Sequence, residues 1–318
     1  MKGTWTPADI PSLDGKRILV TGANSGIGYH AALVFAQKGA HVILACRDSR
    51  RGEAALARLK TNAAGASVEL AALDLASLGS IRDFARRELA EQRPLHALIN
   101  NAGVMAPPKR LETADGFELQ FGTNVLGHFA LTGLLMPLLE RAAVSERPRV
   151  VTVASIAHKR GRLNFDDLQS TRRYSPMRSY QQSKLANLMF ALELDRRLRA
   201  SGSRVTSVAV HPGVANTNLF RAGERSALDS AIRAVASHLI GALLNSDDAG
   251  ALPTLYAATS PDVTDGGYYG PTGWTEMRGD DVGNAAIASQ AKDLESARRL
   301  WEVCETLTGV QFSLRAGG

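Results

Sequence analysis

Cysteine is scarce in this chain: Cys46 and Cys304 are the only two in 318 residues. Two cysteines so far apart build neither a disulfide framework nor a thiolate metal site, and they point to a reducing, cytoplasmic setting. Long apolar runs are missing as well. No uninterrupted stretch reaches the roughly 20 residues that span a bilayer. The nearest, residues 231–244, is short and carries Arg233 and His238. The opening residues, Met1-Lys2-Gly3-Thr4-Trp5-Thr6-Pro7, lack the apolar core of a secretory leader. Charge of one sign does not dominate either, with 37 Lys and Arg against 31 Asp and Glu, a net +6. The basic residues are dispersed among acidic ones and form no aromatic-interleaved stripe, which argues against nucleic acid and suits a phosphorylated small ligand. No repeat, low-complexity tract or linker divides the sequence, so 1–318 reads as a single domain.

What is present is an alternation of short apolar runs and amphipathic stretches. Strands are expected at 17–20, 41–45, 68–73, 95–99, 149–154, 204–210 and 266–270. Helices are expected at 27–37, 49–62, 77–92, 113–143, around 180–192, at 247–259 and at 289–309, with Ser77 as an N-cap. This order predicts an α/β fold, a Rossmann-type doubly wound parallel sheet of about seven strands with helices on both faces. Residues 218–246 carry an apolar pattern that reads as a lid over a substrate, set at about 214–246, or as an ordinary surface helix pair.

The first strand runs straight into Thr21-Gly22-Ala23-Asn24-Ser25-Gly26-Ile27-Gly28. Strand, glycine loop and helix in that order make a nucleotide site. Gly22 permits the tight turn, Gly26 lets backbone approach a pyrophosphate, and Gly28 allows close helix–strand packing. The helix N-terminus offers its N–H groups to phosphate. At the end of the second strand stands Arg47, where an arginine binds a ribose 2′-phosphate and favours NADP(H) over NAD(H). Asp48 beside it keeps the NAD reading open, because a shifted register would bring it to the ribose.

Tyr180 and Lys184 are four apart in a helical pattern and share one face. An ammonium beside a phenol favours the phenolate, and the pair can pass a proton to or from a carbonyl oxygen. Ser155 ends the fifth strand, on the edge where parallel sheets bind ligands. No Gly-x-Ser-x-Gly elbow surrounds it, which disfavours hydrolase chemistry. His128 reads as a packing histidine and His158 as an exposed loop histidine.

The spacing Thr-Gly-x-x-x-Gly-x-Gly, with Asn100-Asn101-Ala102-Gly103, Asn124, Ser155, and Tyr180 with Lys184 in that order, resembles the short-chain dehydrogenase/reductase family over roughly residues 15–270. Ser155-Ile-Ala-His and Tyr180-Gln-Gln-Ser-Lys-Leu-Ala-Asn are similar to its retinol-dehydrogenase-like branch, to which protochlorophyllide reductases are also close. The interval of 25 residues between Ser155 and Tyr180 is longer than the family's usual one. The resemblance implies strand order 3-2-1-4-5-6-7 and catalytic roles for Asn124, Ser155, Tyr180 and Lys184. It implies cofactor contacts from Gly22, Asn24, Ser25, Gly26, Ile27, Gly28, Arg47, Asp74, Leu75, Asn101, Ala102, Gly103, Tyr180, Lys184, Pro212, Gly213, Val214 and Thr217. Asn124 is expected to distort its helix and hold a water beside Lys184. The implied activity is hydride transfer between NADP(H) and a lipophilic ketone or aldehyde and its alcohol. Two other readings stay open, a non-catalytic nucleotide sensor and a C=C reductase. Members often pair as homodimers or homotetramers through the two long helices, which the extended loop and the C-terminal helix would oppose here.

Overall fold

The computed structural model describes residues 4–213, 246–279 and 281–314. The lid assigned to 214–246 and the contacts assigned to Val214 and Thr217 lie outside the described residues, apart from Ser246.

Eight strands form one sheet in the order 3-2-1-4-5-6-7-8. They are β1 (Arg17–Thr21), β2 (His41–Cys46), β3 (Val68–Ala72), β4 (Ala97–Asn100), β5 (Arg149–Val153), β6 (Thr206–Val210), β7 (Tyr268–Pro271) and β8 (Val282–Asn284). The expected seven and their order are present. The eighth, β8, pairs antiparallel with β7. Its three residues, Val-Gly-Asn, are too few to carry an alternating pattern. Among the described residues seven α-helices flank the sheet: α1 (Gly26–Gln37), α2 (Ser49–Asn62), α3 (Leu78–Glu91), α4 (Leu119–Ala143), α5 (Pro176–Ala200), α6 (Asp247–Thr259) and α7 (Leu294–Thr308).

Strand alternation sorts the core into two layers. On β1, Leu19 faces a cluster shared with α3, α4, α5 and α7. Its neighbours Ile18 and Val20 face a second cluster with α1, α2 and α6. Central parallel strands must be apolar on both faces, which is why these runs read as continuously hydrophobic. The chain reverses its winding direction between β1 and β4, which are neighbours in the sheet. A crevice therefore opens at their carboxyl ends. The glycine loop and the loop after β4 lie there.

α4 departs from expectation in two ways. The pattern through Phe117 and Phe121 predicts a helix from 113, but it begins at Leu119. Residues before it close a small loop, with a bridge between Glu112 and Glu118. Gly116 takes φ +83° at its turn. Glu118 then caps the helix, accepting from the Gln120 and Phe121 amides. Second, α4 is 25 residues long with a mean hydropathy of 1.3, apolar and long enough by composition to cross a membrane. Most of that surface is buried within the fold (83% of the most apolar window), as a central core helix requires. Phe129 on α4 and Phe190 on α5 pack with Trp301 on α7 and with Phe312 beyond it, ring centroids 4.6–6.3 Å apart. Gly133 makes room for this, since a Cβ there would stand 2.7 Å from Phe312. The C-terminal helix thus covers a shared face of α4 and α5.

Candidate active site

The glycine loop is shaped by close approach. Gly22 and Gly26 adopt φ of +67° and +59°, the left-handed region that glycine enters without steric cost. At Gly28 a Cβ would sit 2.4 Å from the Asn101 side-chain nitrogen and 2.8 Å from the Gly22 carbonyl. Asn101 holds that position by donating to the Thr21 carbonyl at 2.8 Å. The Thr21 hydroxyl accepts from the amides of Asn101 and Ala102 at 2.9 and 3.0 Å. Asn100 donates to Thr132 of α4 at 2.9 Å. The Asn-Asn-Ala-Gly segment therefore braces β1, β4 and α4 together. Ser25 precedes α1 but makes no side-chain cap. The first-turn amides of α1 are left for an anion, which fits the diphosphate of a dinucleotide.

Arg47 is exposed at the end of β2. Asp48 is engaged elsewhere, accepting from the Arg51 amide at 3.0 Å as the N-cap of α2. Asp74 accepts from the Ala76 amide at 2.9 Å, and Leu75 is buried after β3, its carbonyl against Gly127. Pro212 and Gly213 follow β6 on the same sheet edge.

The catalytic candidates converge on α5. Tyr180 is 8% exposed and Lys184 3%. Ser155 follows β5 beside the Tyr180 phenol, and its hydroxyl accepts from the Ala157 amide. Lys184 donates to the Val153 carbonyl at 2.9 Å and stands 5.9 Å from the Tyr180 ring centroid. Burial pushes the Tyr180 phenol up to about 12, against a smaller lowering from Ser155, and pushes the Lys184 ammonium down to about 8. Sequence reasoning expects Lys184 to lower the phenol. In this arrangement burial dominates the phenol, and the ammonium donates to the Val153 carbonyl.

Asn124 lies in a π turn, Gly122–Leu126, inside α4. The expected helix distortion is therefore present, in the form that often marks functional sites. Its side chain accepts from the Val104 amide at 2.8 Å and donates to the Val104 carbonyl and Ser183 hydroxyl, each at 3.0 Å. It so clamps the loop after β4 to α5. A Cβ at Gly103 would lie 3.3 Å from Asn124 Oδ1 and 3.7 Å from Lys184 Nζ. Gly103, Asn124 and Lys184 thus share one small space.

A profile of the short chain dehydrogenase family matches residues 16–227. The chain belongs to the short-chain dehydrogenases. It is 41% identical to retinol dehydrogenase 13 of Homo sapiens over 94% of this chain and 86% of that one. It is 40% identical to the polyprenol dehydrogenase of Mus musculus over 97% and 88%. A solved structure of an uncharacterized protein from Mycobacterium paratuberculosis superposes with a TM-score of 0.80 at 42% identity, covering 98% of this chain and all of that one. The chain is thus an oxidoreductase of a nicotinamide-dependent family, similar to retinol dehydrogenases.

In this dehydrogenase His128 packs as expected, fully enclosed under the site. Its Nδ1 donates to the Asn124 carbonyl at 3.0 Å, because a carbonyl only accepts. Nε2 is then left to accept from the Thr21 hydroxyl at 3.0 Å. Burial holds the imidazole down at about 4. Between that value and the unfolded value of about 6.5 the unfolded chain binds the extra proton. Stability from this residue is therefore present above about 6.5 and is lost as pH falls towards 4, by roughly 3 kcal/mol. Urea unfolding at pH 7.0, 5.5 and 4.5 should show a steeper decline for wild type than for His128→Gln. Parallel declines would exclude this role.

His158 is not the exposed loop histidine that its polar surroundings predict. It is fully buried. Its Nδ1 donates to the Ser155 carbonyl at 2.7 Å. The Tyr268 hydroxyl lies 3.3 Å away. Gln290 donates to the His158 and Lys159 carbonyls at 3.3 and 3.1 Å. Sequence reasoning passes over Tyr268, Glu276 and Gln290, which lie far along the chain. The Tyr268-Tyr269 pair is a signal for the first of these alone, and Glu276 and Gln290 carry none.

Proposed function

We propose that this dehydrogenase uses NADP(H) to interconvert a lipophilic ketone or aldehyde and its alcohol. The observation that carries the reading is the buried Tyr180 beside Ser155 at the carboxyl edge of β5, with the buried Lys184 one helical turn away. A nicotinamide, when bound, supplies the hydride. The chain supplies the rest. Ser155 donates to the substrate oxygen and orients it. The Tyr180 phenol, held protonated by its burial, gives its proton to the oxygen as charge develops there in reduction, and takes it back in oxidation. Lys184, Asn124 and the space beside Gly103 hold the water that returns a proton to the pair.

Arg47 supports NADP(H), since it is exposed at the strand end while Asp48 caps α2. Arg47→Asp should lower the NADPH:NADH preference, measured as the ratio of kcat/KM values, by about 100-fold, the loss of a charge-assisted phosphate contact of roughly 2–3 kcal/mol. An unchanged ratio would remove Arg47 from this role. The lipophilic substrate class follows the two relatives, named for retinol and polyprenol, both apolar alcohols. The cover of α4 and α5 by α7 opposes pairing of copies through that face, and the two buried thiols fit a cytoplasmic setting.

The deciding experiment is NADPH oxidation at neutral pH against aliphatic, aromatic, steroid and retinoid carbonyls, with products identified. Alcohol formation on a lipophilic member supports the reading. Tight NADPH binding with no turnover, or a saturated ketone from an enone, overturns it.

A further inference from the structure

A cluster of side chains outside the proton-transfer group joins the two loops on which the reaction depends. His158 follows Ser155, and His211 precedes Pro212 and Gly213; both imidazoles are 0% exposed. Their tautomers are opposite. His158 carries its proton on Nδ1, donated to the Ser155 carbonyl, while its Nε2 accepts from the Ala288 amide at 3.4 Å. His211 Nδ1 accepts from the Gly213 amide at 3.2 Å. Its proton is therefore on Nε2, a buried donor with no hydrogen-bond partner among the described residues. That nitrogen faces Glu276 Oε2 at 3.6 Å.

Glu276 is the common neighbour. Its Oε2 accepts from Lys159 Nζ at 2.9 Å, and Oε1 accepts from the Ala286 amide at 2.9 Å. The Tyr268 ring centroid lies 5.3 Å from those of both histidines. Gly270 leaves the space that His211 fills, since a Cβ there would stand 2.1 Å from Nε2. The backbone at this point is unusual. Thr275 and Glu276 take φ of +63° and +58°, two successive left-handed residues with side chains. Such a conformation persists where the surroundings over-determine it, and it is concentrated at functional sites.

We propose that Glu276 is a positioning residue that ties the Ser155–Arg160 turn, through Lys159, to the His211-Pro212-Gly213 turn, through the His211 imidazole. Strand register fixes β5 against β6. It does not fix the loops that leave them. One carboxylate, aimed at a cation on the first loop and at the orphan N–H on the second, sets their separation. The proposal rests on the reading above, in which the first loop orients the substrate oxygen and the second borders the nicotinamide.

The test reads the loops first and turnover second. In Glu276→Gln, which keeps the shape and removes the charge, deuterium uptake of the cofactor-free protein should quicken about fivefold at the amides of 155–161 and at Gly213 together, with α1 unchanged. kcat should fall about tenfold, and KM for NADPH should rise about threefold. Lys159→Met should lower kcat by itself, and the double variant should be no worse than Glu276→Gln, because both break one tie. If Glu276→Gln does not fold, Lys159→Met, at a half-exposed position, replaces it with the same expected rise in uptake at both loops. Uptake unchanged at either loop, or kcat losses that multiply in the double variant, overturns the proposal. If wild type turns over no carbonyl, the functional reading falls while the uptake result still decides the tie.

Discussion

Tyr180→Phe should lower turnover by about three orders of magnitude and leave NADPH affinity within about twofold. The phenol is buried beside Ser155, so removing its hydroxyl deletes the proposed proton donor and leaves the ring packing intact. The direction of its pKa sharpens the expectation. A phenol held up at about 12 is protonated throughout the neutral range, which suits the acid role proposed for it in reduction. In oxidation the proposed role is that of a base, so turnover of alcohol should climb with pH where reduction does not. Steady-state kinetics in both directions, with NADPH binding followed by fluorescence, measures each part. Residual turnover within tenfold of wild type would remove Tyr180 from the chemistry.

The second large effect belongs to the glycine loop. Gly28→Val should weaken NADPH binding by about 100-fold or more and destabilise the fold by roughly 1–3 kcal/mol. Its first added carbon would meet the Asn101 amide nitrogen at 2.4 Å and the Gly22 carbonyl at 2.8 Å. Neither neighbour has room to yield, since Asn101 is tied to Thr21 and Gly22 is the turn itself. Titration calorimetry and thermal unfolding of the variant measure the two effects. Normal affinity in a folded Gly28→Val protein would show that the cofactor does not pass over this helix.

Much of this was written in the sequence in local form. β1, the octet and α1 follow one another without interruption, so strand, turn and helix are each specified by adjacent residues. Helix α6 matches its expected bounds at Asp247–Thr259. The start of α4 is hidden in the sequence because Phe117 and Phe121 keep a helical spacing across a loop, while the Asp115-Gly116 turn signal beside them is short. The burial of His158 is hidden because what covers it is remote in sequence. Its polar neighbours Lys159 and Arg160 suggest solvent, but Ala288 and Gln290 close over it from 130 residues on. The height of the Tyr180 pKa is also out of reach, since spacing reveals that Lys184 is near but not how deeply the phenol is buried. Period and turn chemistry speak of neighbours in sequence, and burial depends on segments that meet only in the fold.

The π turn at Gly122–Leu126 has a consequence for how this chain can change over generations. A π turn is an α-helix carrying one residue more than its path requires. Point substitution alters its side chains but leaves that surplus in place. Deleting a residue restores ordinary winding and turns everything ahead of it by about 100°. Gln120, which holds the Ala106 amide and the Tyr174 hydroxyl, would then swing away from both. A lineage that carries the extra residue is thus held to it, because the route back passes through a form in which the loop after β4 has lost its support.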